Sequence, residues 1–344
     1  MTAVKKLVPR AVRHGISAQL ARVKSARLER DLAALVSSSD VVVAGPWLGE
    51  VGFELLYWVP FLRWFARRFA VPADRLLVVS RGGTASWYRP FSTRYREIFD
   101  YVTPEEFRHL HDERVAANGE QKQTQVLAFE RELLRQLTED VHDRSMLHPS
   151  SMYRLFNPFW WGHVDESWVH ERASYARLVA DTVSGFQIPA ESYTAVKFYF
   201  NECFPATDAN RAFVRDTVRR LAAQGPVVSL ATGLRIDDHE GGHVESLGVQ
   251  SLPPSVPPRE NLAVQAALVG HASAFAGTYG GFSYLAPFLG VAATAYYSNR
   301  AGFSERHLAM ARSALGTIGA DGLLDVRSAA DLMNAPQSPR AFYP

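Results

Sequence analysis

The stretch SDVVVAGPWLGEVGFELLYWVPFLRWFARRF, Ser39–Phe69, passes from an apolar run through a glycine-rich turn into residues whose apolar positions recur at helical spacing. A continuous apolar strand, Val41–Ala44, followed by glycine and then a helix, Phe53–Phe69, is the pattern of a parallel sheet covered on both faces. Gly45, Gly49 and Gly52 crowd the turn, which also carries the carboxylates Glu50 and Glu54. Turns of this shape commonly hold phosphate on backbone N–H groups and a helix N-terminus, but two glutamates repel an anion. The turn is therefore expected to hold something other than phosphate.

The same strand-helix grammar runs along the chain. Arg75–Ser80 reads as a second buried strand ending in Arg81-Gly82-Gly83. Thr103–Arg144 is polar with a helical pattern, and Leu155–Trp168 is dense in aromatics. The grammar then restarts: strand Tyr193–Phe200, helix Asp208–Gln224, strand Pro226–Ala231, helix Asn261–His271, strand Ser273–Gly277, helix Gly280–Leu289 and strand Val291–Tyr297. A length of 344 residues favours two domains. The expected fold is α/β, with two Rossmann-like doubly wound parallel-sheet domains facing a cleft. They span residues 36–188 and 189–330, with a break near Gly185–Ser192, an arm at 1–35 and a tail at 331–344. Ligands are expected outside the carboxyl ends of the strands.

Composition narrows the class. Apolar residues make up 47% of the chain, enough for buried cores, and the net charge of +2 gives no case for nucleic-acid binding. The single cysteine, Cys203, leaves no intramolecular disulfide and no cysteine-based zinc site, and suits a reducing compartment. Neither a signal-peptide pattern nor an apolar run of about twenty residues is present, so a cytoplasmic protein is expected. Lys5, Lys6, Arg10, Arg13, Arg22, Lys24, Arg27 and Arg30 stand against Glu29 and Asp31, with Leu7, Val8, Ile16, Leu20, Val23 and Leu28 interleaved. This basic arm reads either as a solvated helix packed on the body or as a surface that leans on anionic lipid at the inner face of a membrane.

The turn Gly277-Thr278-Tyr279-Gly280-Gly281-Phe282-Ser283 contains no acid. A strand ends there, glycines let the backbone approach a ligand, and a helix begins, so diphosphate is expected on it with the Thr278 and Ser283 hydroxyls as donors. The alternative is a tight junction in which glycine only permits close packing. Lys197, inside an apolar strand, and Arg235, after Ala231-Thr232-Gly233, are cations at strand ends; either could instead pair with Glu202 or Asp237. Arg81-Gly82-Gly83-Thr84 is a weaker place for an acceptor phosphate or carboxylate. His239-Glu240-Gly241-Gly242-His243 matches the H-E-x-x-H string of zinc peptidases, but each of its two glycines disfavours the required helix by about 1 kcal/mol, and no third ligand is evident.

Glu260-Asn261-Leu262-Ala263-Val264-Gln265, the glycine turn Gly277–Gly281 and the run Tyr284-Leu285-Ala286-Pro287-Phe288-Leu289-Gly290-Val291 resemble the donor half of GT-B glycosyltransferases. The opening stretch is similar to the Gly-x-x-Gly turn of fucosyltransferase-like and heptosyltransferase-like members. It departs from the former, which carry a second glycine and an amide where this chain has Glu50 and Glu54. The resemblance covers roughly Val41–Ser80 and Tyr193–Ser298.

It implies a glycosyltransferase working without metal or cofactor, moving a sugar from a nucleotide-sugar donor to a glycan or glycolipid acceptor. Residues 36–188 would face the acceptor and 189–330 the donor. Donor contacts then fall to Lys197, Thr232, Gly233, Arg235, Glu260, Asn261, Gln265, Thr278, Tyr279, Gly280, Gly281 and Ser283. Acceptor contacts fall to Gly49, Gly52, Arg81, Trp160, Trp161 and His163, although a Trp-rich run also suits an interdomain core. Glu50 would take the proton of the attacking hydroxyl, with Glu54 orienting it; otherwise both acids simply complement a helix dipole. The alternatives are an epimerase of GT-B architecture and a scaffold in polysaccharide assembly.

Overall fold

The computed structural model of the chain describes residues 10–38, 41–119, 122–180, 192–232, 249–252 and 256–334, with the isolated positions 189, 234, 240 and 241. Four strands form the first sheet: β1 (Val41–Ala44), β2 (Leu76–Ser80), β3 (Arg94–Glu97) and β4 (Arg144–Leu147). Their order is β3-β2-β1-β4, all parallel, with Val42 opposite Leu76 on one side and Ser145 on the other. The two central strands, β1 and β2, read as apolar runs because both their faces are covered, and Leu76 to Val79 are all buried; the edge strands β3 (Arg94–Glu97) and β4 (Arg144–Leu147) are mostly polar and partly exposed.

Beyond them lie β5 (Thr194–Lys197), β6 (Tyr199–Phe200), β7 (Val227–Ser229), β8 (Glu240–Gly241), β9 (Gln250–Ser251), β10 (Ala274–Thr278), β11 (Ala293–Tyr297) and β12 (Leu324–Ser328). The second sheet has the order β12-β11-β10-β5-β7-β9, parallel throughout. The chain starts at β5, winds out through β7 to β9, then returns to the other side of β5 and winds out through β10 to β12. That is the doubly wound order, and its switch point lies between β5 and β10.

Three local departures from the sequence expectations have physical causes. The helix after the opening turn starts at Val51, and its residues Glu54–Trp58 form a π-helical turn before the α-helix Val59–Arg68. Pro60 has no N–H to give the Leu56 carbonyl; the Tyr175 hydroxyl takes that acceptor at 2.9 Å. The expected strand Tyr193–Phe200 breaks at Phe198. The Thr278 hydroxyl accepts from the Tyr199 N–H at 3.0 Å and donates to the Tyr199 carbonyl at 2.7 Å, so Tyr199 leaves the large sheet and β6 pairs with β8 instead. The basic arm continues as one helix, Arg10–Ser38, past the expected limit at residue 35. Ala21, Leu28 and Leu32 are buried, and the helix lies on β4 and the helix Pro149–Trp160. Most of the expected break at Gly185–Ser192 lies outside the described residues.

Candidate functional site

The carboxyl ends of the two sheets meet, and glycine makes the meeting possible. A Cβ on Gly52 would stand 3.3 Å from Gly281 Cα, and one on Gly281 would stand 2.7 Å from the Gly52 nitrogen. Nearby, the Gly82 carbonyl accepts from Ala263 N–H at 2.9 Å, and Arg259 pairs with Asp100 at 2.7 Å. Gly52 and Gly281 were expected to admit acceptor and donor to the backbone; at this contact they admit each other. Gly281→Ala is accordingly expected to lower stability by about 1–3 kcal/mol, because backbone on the far side cannot move aside cheaply. Gly316→Ala, whose new methyl meets nothing within 4 Å in a helix, serves as the control and should gain about 0.4–1 kcal/mol. Urea denaturation of the two variants checks the contrast.

The opening turn is held by the protein itself. Gly45 N–H donates to Leu147 O at 3.1 Å and Trp47 N–H to Val79 O at 2.9 Å. The Gln123 amide grips both Leu48 N–H (2.9 Å) and Pro46 O (2.8 Å), and Arg81 donates to Gly49 O at 2.5 Å. Glu50 heads the following helix with its side chain exposed and no capping bond from that side chain.

Glu54 points the other way. It is fully buried, accepts from Ser80 Oγ at 2.7 Å and from the Tyr88 hydroxyl, and lies 3.5 Å from the Arg81 guanidinium. Arg81, expected on the acceptor, is 1% exposed; its guanidinium ties the buried carboxylate to the loop backbone. Burial outweighs the Arg81 charge and the hydrogen bonds and pushes the Glu54 carboxyl up to about 6 from 4.5. The folded state therefore binds the proton more tightly than the unfolded one. This stabilisation is fully present below pH 4.5 and is lost as pH rises through about 6, a loss of about 2 kcal/mol. Relative to Glu54→Gln, the wild-type protein is expected to lose that amount across this window in denaturation measured at stepped pH.

The Arg81-Gly82-Gly83 turn is filled as well. The Glu97 carboxylate accepts from Gly82 N–H (2.9 Å), Gly83 N–H (2.8 Å), Phe99 N–H (3.0 Å) and the Tyr95 hydroxyl (3.0 Å). Those two turn amides, read as a place for an acceptor anion, already hold one supplied by the chain.

At the switch point of the second sheet, several expected donor residues come together. Lys197, the last residue of β5, donates to the Gln265 side-chain oxygen and lies 3.8 Å over the Phe282 ring. Gln265 in turn donates to Asn261 O (3.1 Å) and Asn261 Oδ1 (2.9 Å). Glu260 precedes this helix, half-buried beside Gly83. The hydroxyls behave differently from expectation. Thr278 spends its hydrogen on Tyr199 O, and Ser283 spends its own on Gly280 O at 2.7 Å while accepting from Gly280 N–H. Both are buried, so neither hydroxyl donates to a ligand in this arrangement. A Cβ on Gly280 would fall 2.0 Å from the Tyr199 hydroxyl, and Tyr279 is buried against Tyr284, whose hydroxyl donates to it at 2.6 Å. Thr232 is half-buried after β7; Gly233 and Arg235 lie outside the described residues.

The aromatic segment divides. Trp161 is 68% exposed, and its one ring contact among those described is a T-shaped one with His163, their centroids 6.1 Å apart. Trp160 instead joins Phe53 (5.6 Å) and Tyr57 (5.0 Å) beside the opening turn, with Lys122 over Phe53 at 5.6 Å. A residue with no sequence signal completes this group. His307 Nδ1 lies 2.6 Å from the Tyr57 hydroxyl across 250 residues of sequence. Burial, with the charges of Lys122 and Arg306, pushes the His307 imidazole down to about 4, so the ring is neutral at pH 7.

Glu240 and Gly241 are extended in β8, whereas the peptidase motif needs them on a helix; its two histidines lie outside the described residues. Among the described residues no group of three or more metal-ligand side chains occurs.

No family model and no curated protein matches the chain. Among solved structures it is similar to E. coli ADP-heptose lps heptosyltransferase II, at 10% identity and TM-score 0.43 over 84% of this chain and 89% of that one. It is also similar to E. coli heptosyltransferase WaaC with ADP, at 12% identity and TM-score 0.41 over 84% and 92%. A glycosyl transferase family 9 protein from Veillonella parvula is similar at 12% identity and TM-score 0.38 over 77% and 82%.

Proposed function

We propose that the protein is a GT-B-like glycosyltransferase, moving a sugar from a nucleotide-sugar to a hydroxyl of a glycan or glycolipid acceptor. The observation that carries this reading is the switch point between β5 and β10, where crevices in doubly wound sheets take nucleotides. The cation of Lys197 and the head of the helix Gly281–Phe288 both stand at the carboxyl ends of these two strands, and the exposed carboxylate Glu50 follows the carboxyl end of β1 on the facing sheet.

In this reading residues 36–188 serve the acceptor and 189–330 the donor. Lys197 exchanges its Gln265 contact for a diphosphate oxygen. Glu50 takes the proton from the acceptor hydroxyl as the hydroxyl oxygen bonds to the anomeric carbon. The bond from that carbon to the diphosphate breaks, and its electron pair leaves with the nucleoside diphosphate. Phe53 and Trp160 supply aromatic faces for the acceptor sugar near Glu50. Glu54 acts through Arg81 and Gly49 as a positioning residue rather than on substrate. The step calls on no metal.

The test is transfer of label from radiolabelled nucleotide-sugars into a mixed extract of glycolipids and glycans. Label moving only when extract is present supports the reading. Conversion of the donor to an isomer without extract favours the epimerase, and neither outcome with any donor removes both.

A further inference from the structure

The helix Arg10–Ser38 has two faces, and the fold uses one. Ala21, Ser25, Leu28 and Leu32 are buried against the body, and Arg172 anchors the same side by donating to Ser25 Oγ and Glu29 Oε1, both at 3.1 Å. Successive residues turn by about 100°, so Ile16, Leu20, Val23 and Arg27 fall within an arc of roughly 60° on the opposite side. Ile16, Leu20 and Val23 are 54%, 54% and 61% exposed. The other large apolar side chains exposed among the described residues are scattered singly over different segments, whereas these three are contiguous.

Charge decides the occupant. Lys24, Arg27 and Arg30 are exposed along the same side of the helix and outnumber the one acid exposed there, Asp31, while Glu29 is turned to the body and paired with Arg172. A second copy of the chain laid on this face would bring like charges together. A bilayer with anionic headgroups accepts both parts: the apolar stripe enters the boundary of the acyl region while the cations meet phosphates. No described helix is long and apolar enough to cross a membrane.

We propose that the Ile16, Leu20 and Val23 face of this helix, bordered by Lys24, Arg27 and Arg30, docks on an anionic lipid surface. The proposal stands independently of the sugar-transfer reading. The full chain is sedimented with vesicles of phosphatidylcholine alone and of phosphatidylcholine mixed with phosphatidylglycerol. The wild-type protein should partition onto the anionic vesicles at least roughly tenfold more strongly than onto the neutral ones, and salt should weaken the attachment. The triple variant Ile16→Ser, Leu20→Ser, Val23→Ser should lose roughly tenfold or more in partition with an unchanged thermal midpoint, because all three side chains are exposed. Arg27→Gln with Arg30→Gln should weaken binding to anionic vesicles alone. Equal partition of the triple variant, or no partition of the wild type, overturns the proposal. So does a concentration-dependent dimer that the triple variant abolishes, since a second copy would then be the occupant.

Discussion

Arg81→Met is expected to cost about 3–5 kcal/mol of folding stability at pH 7, the usual loss when one partner of a buried ion pair is removed. Arg81 is 1% exposed, and its guanidinium stands between the fully buried Glu54 carboxylate and the Gly49 carbonyl. Without it, Glu54 keeps only neutral donors, among them Ser80 and Tyr88, and the Gly49 carbonyl loses its charged donor. Lowering the pH should relieve part of the loss by protonating Glu54. A double variant, Arg81→Met with Glu54→Gln, should be more stable than Arg81→Met alone, since the uncompensated charge is gone; the pair is coupled, not additive. Urea denaturation of the two single variants and the double variant reads the coupling directly. Additive losses would show that the two side chains do not act as a pair.

Glu50→Gln is expected to slow sugar transfer by about 10²–10⁴-fold in single-turnover measurements, the usual loss for a missing general base. Glutamine keeps the shape and a hydrogen-bonding oxygen but cannot hold the proton. Because Glu50 is exposed, stability should stay within about 0.5 kcal/mol of wild type. Nucleotide affinity should hold, since the proposed donor groups stand on the other sheet. Normal transfer would reject Glu50 as the base. Lost nucleotide affinity would mean that the opening turn touches the donor, and would reverse the assignment of the two halves.

What could be read from the sequence follows the range of each interaction. Strand-helix alternation is local, so β1, β2 and the helix Asn261–His271 are legible from periodicity and glycine alone. The glycines themselves were ambiguous. A glycine turn that holds a ligand and one that holds another glycine look alike until Gly52 is seen against Gly281. The anion in the Gly82-Gly83 turn comes from Glu97, on the strand next to it in the sheet, which only the pairing of β2 with β3 brings there. Thr278 divides an apparently continuous strand through a side-chain bond spanning 79 residues. Tyr57 and His307 meet across 250 residues of sequence, and no spacing rule connects them.

The central claim, that the β5–β10 switch point receives a nucleotide-sugar, is tested most directly by thermal unfolding and titration calorimetry. The panel is uridine, guanosine, adenosine, thymidine and cytidine diphosphate sugars with their parent nucleoside diphosphates. The account predicts that at least one sugar and its parent diphosphate bind. At a hundred times its dissociation constant such a ligand adds about 2.7 kcal/mol to stability. Lys197→Met should weaken that binding roughly tenfold or more, as loss of a charge-assisted contact does. Binding by no member of the panel, or binding that Lys197→Met leaves unchanged, would contradict the account.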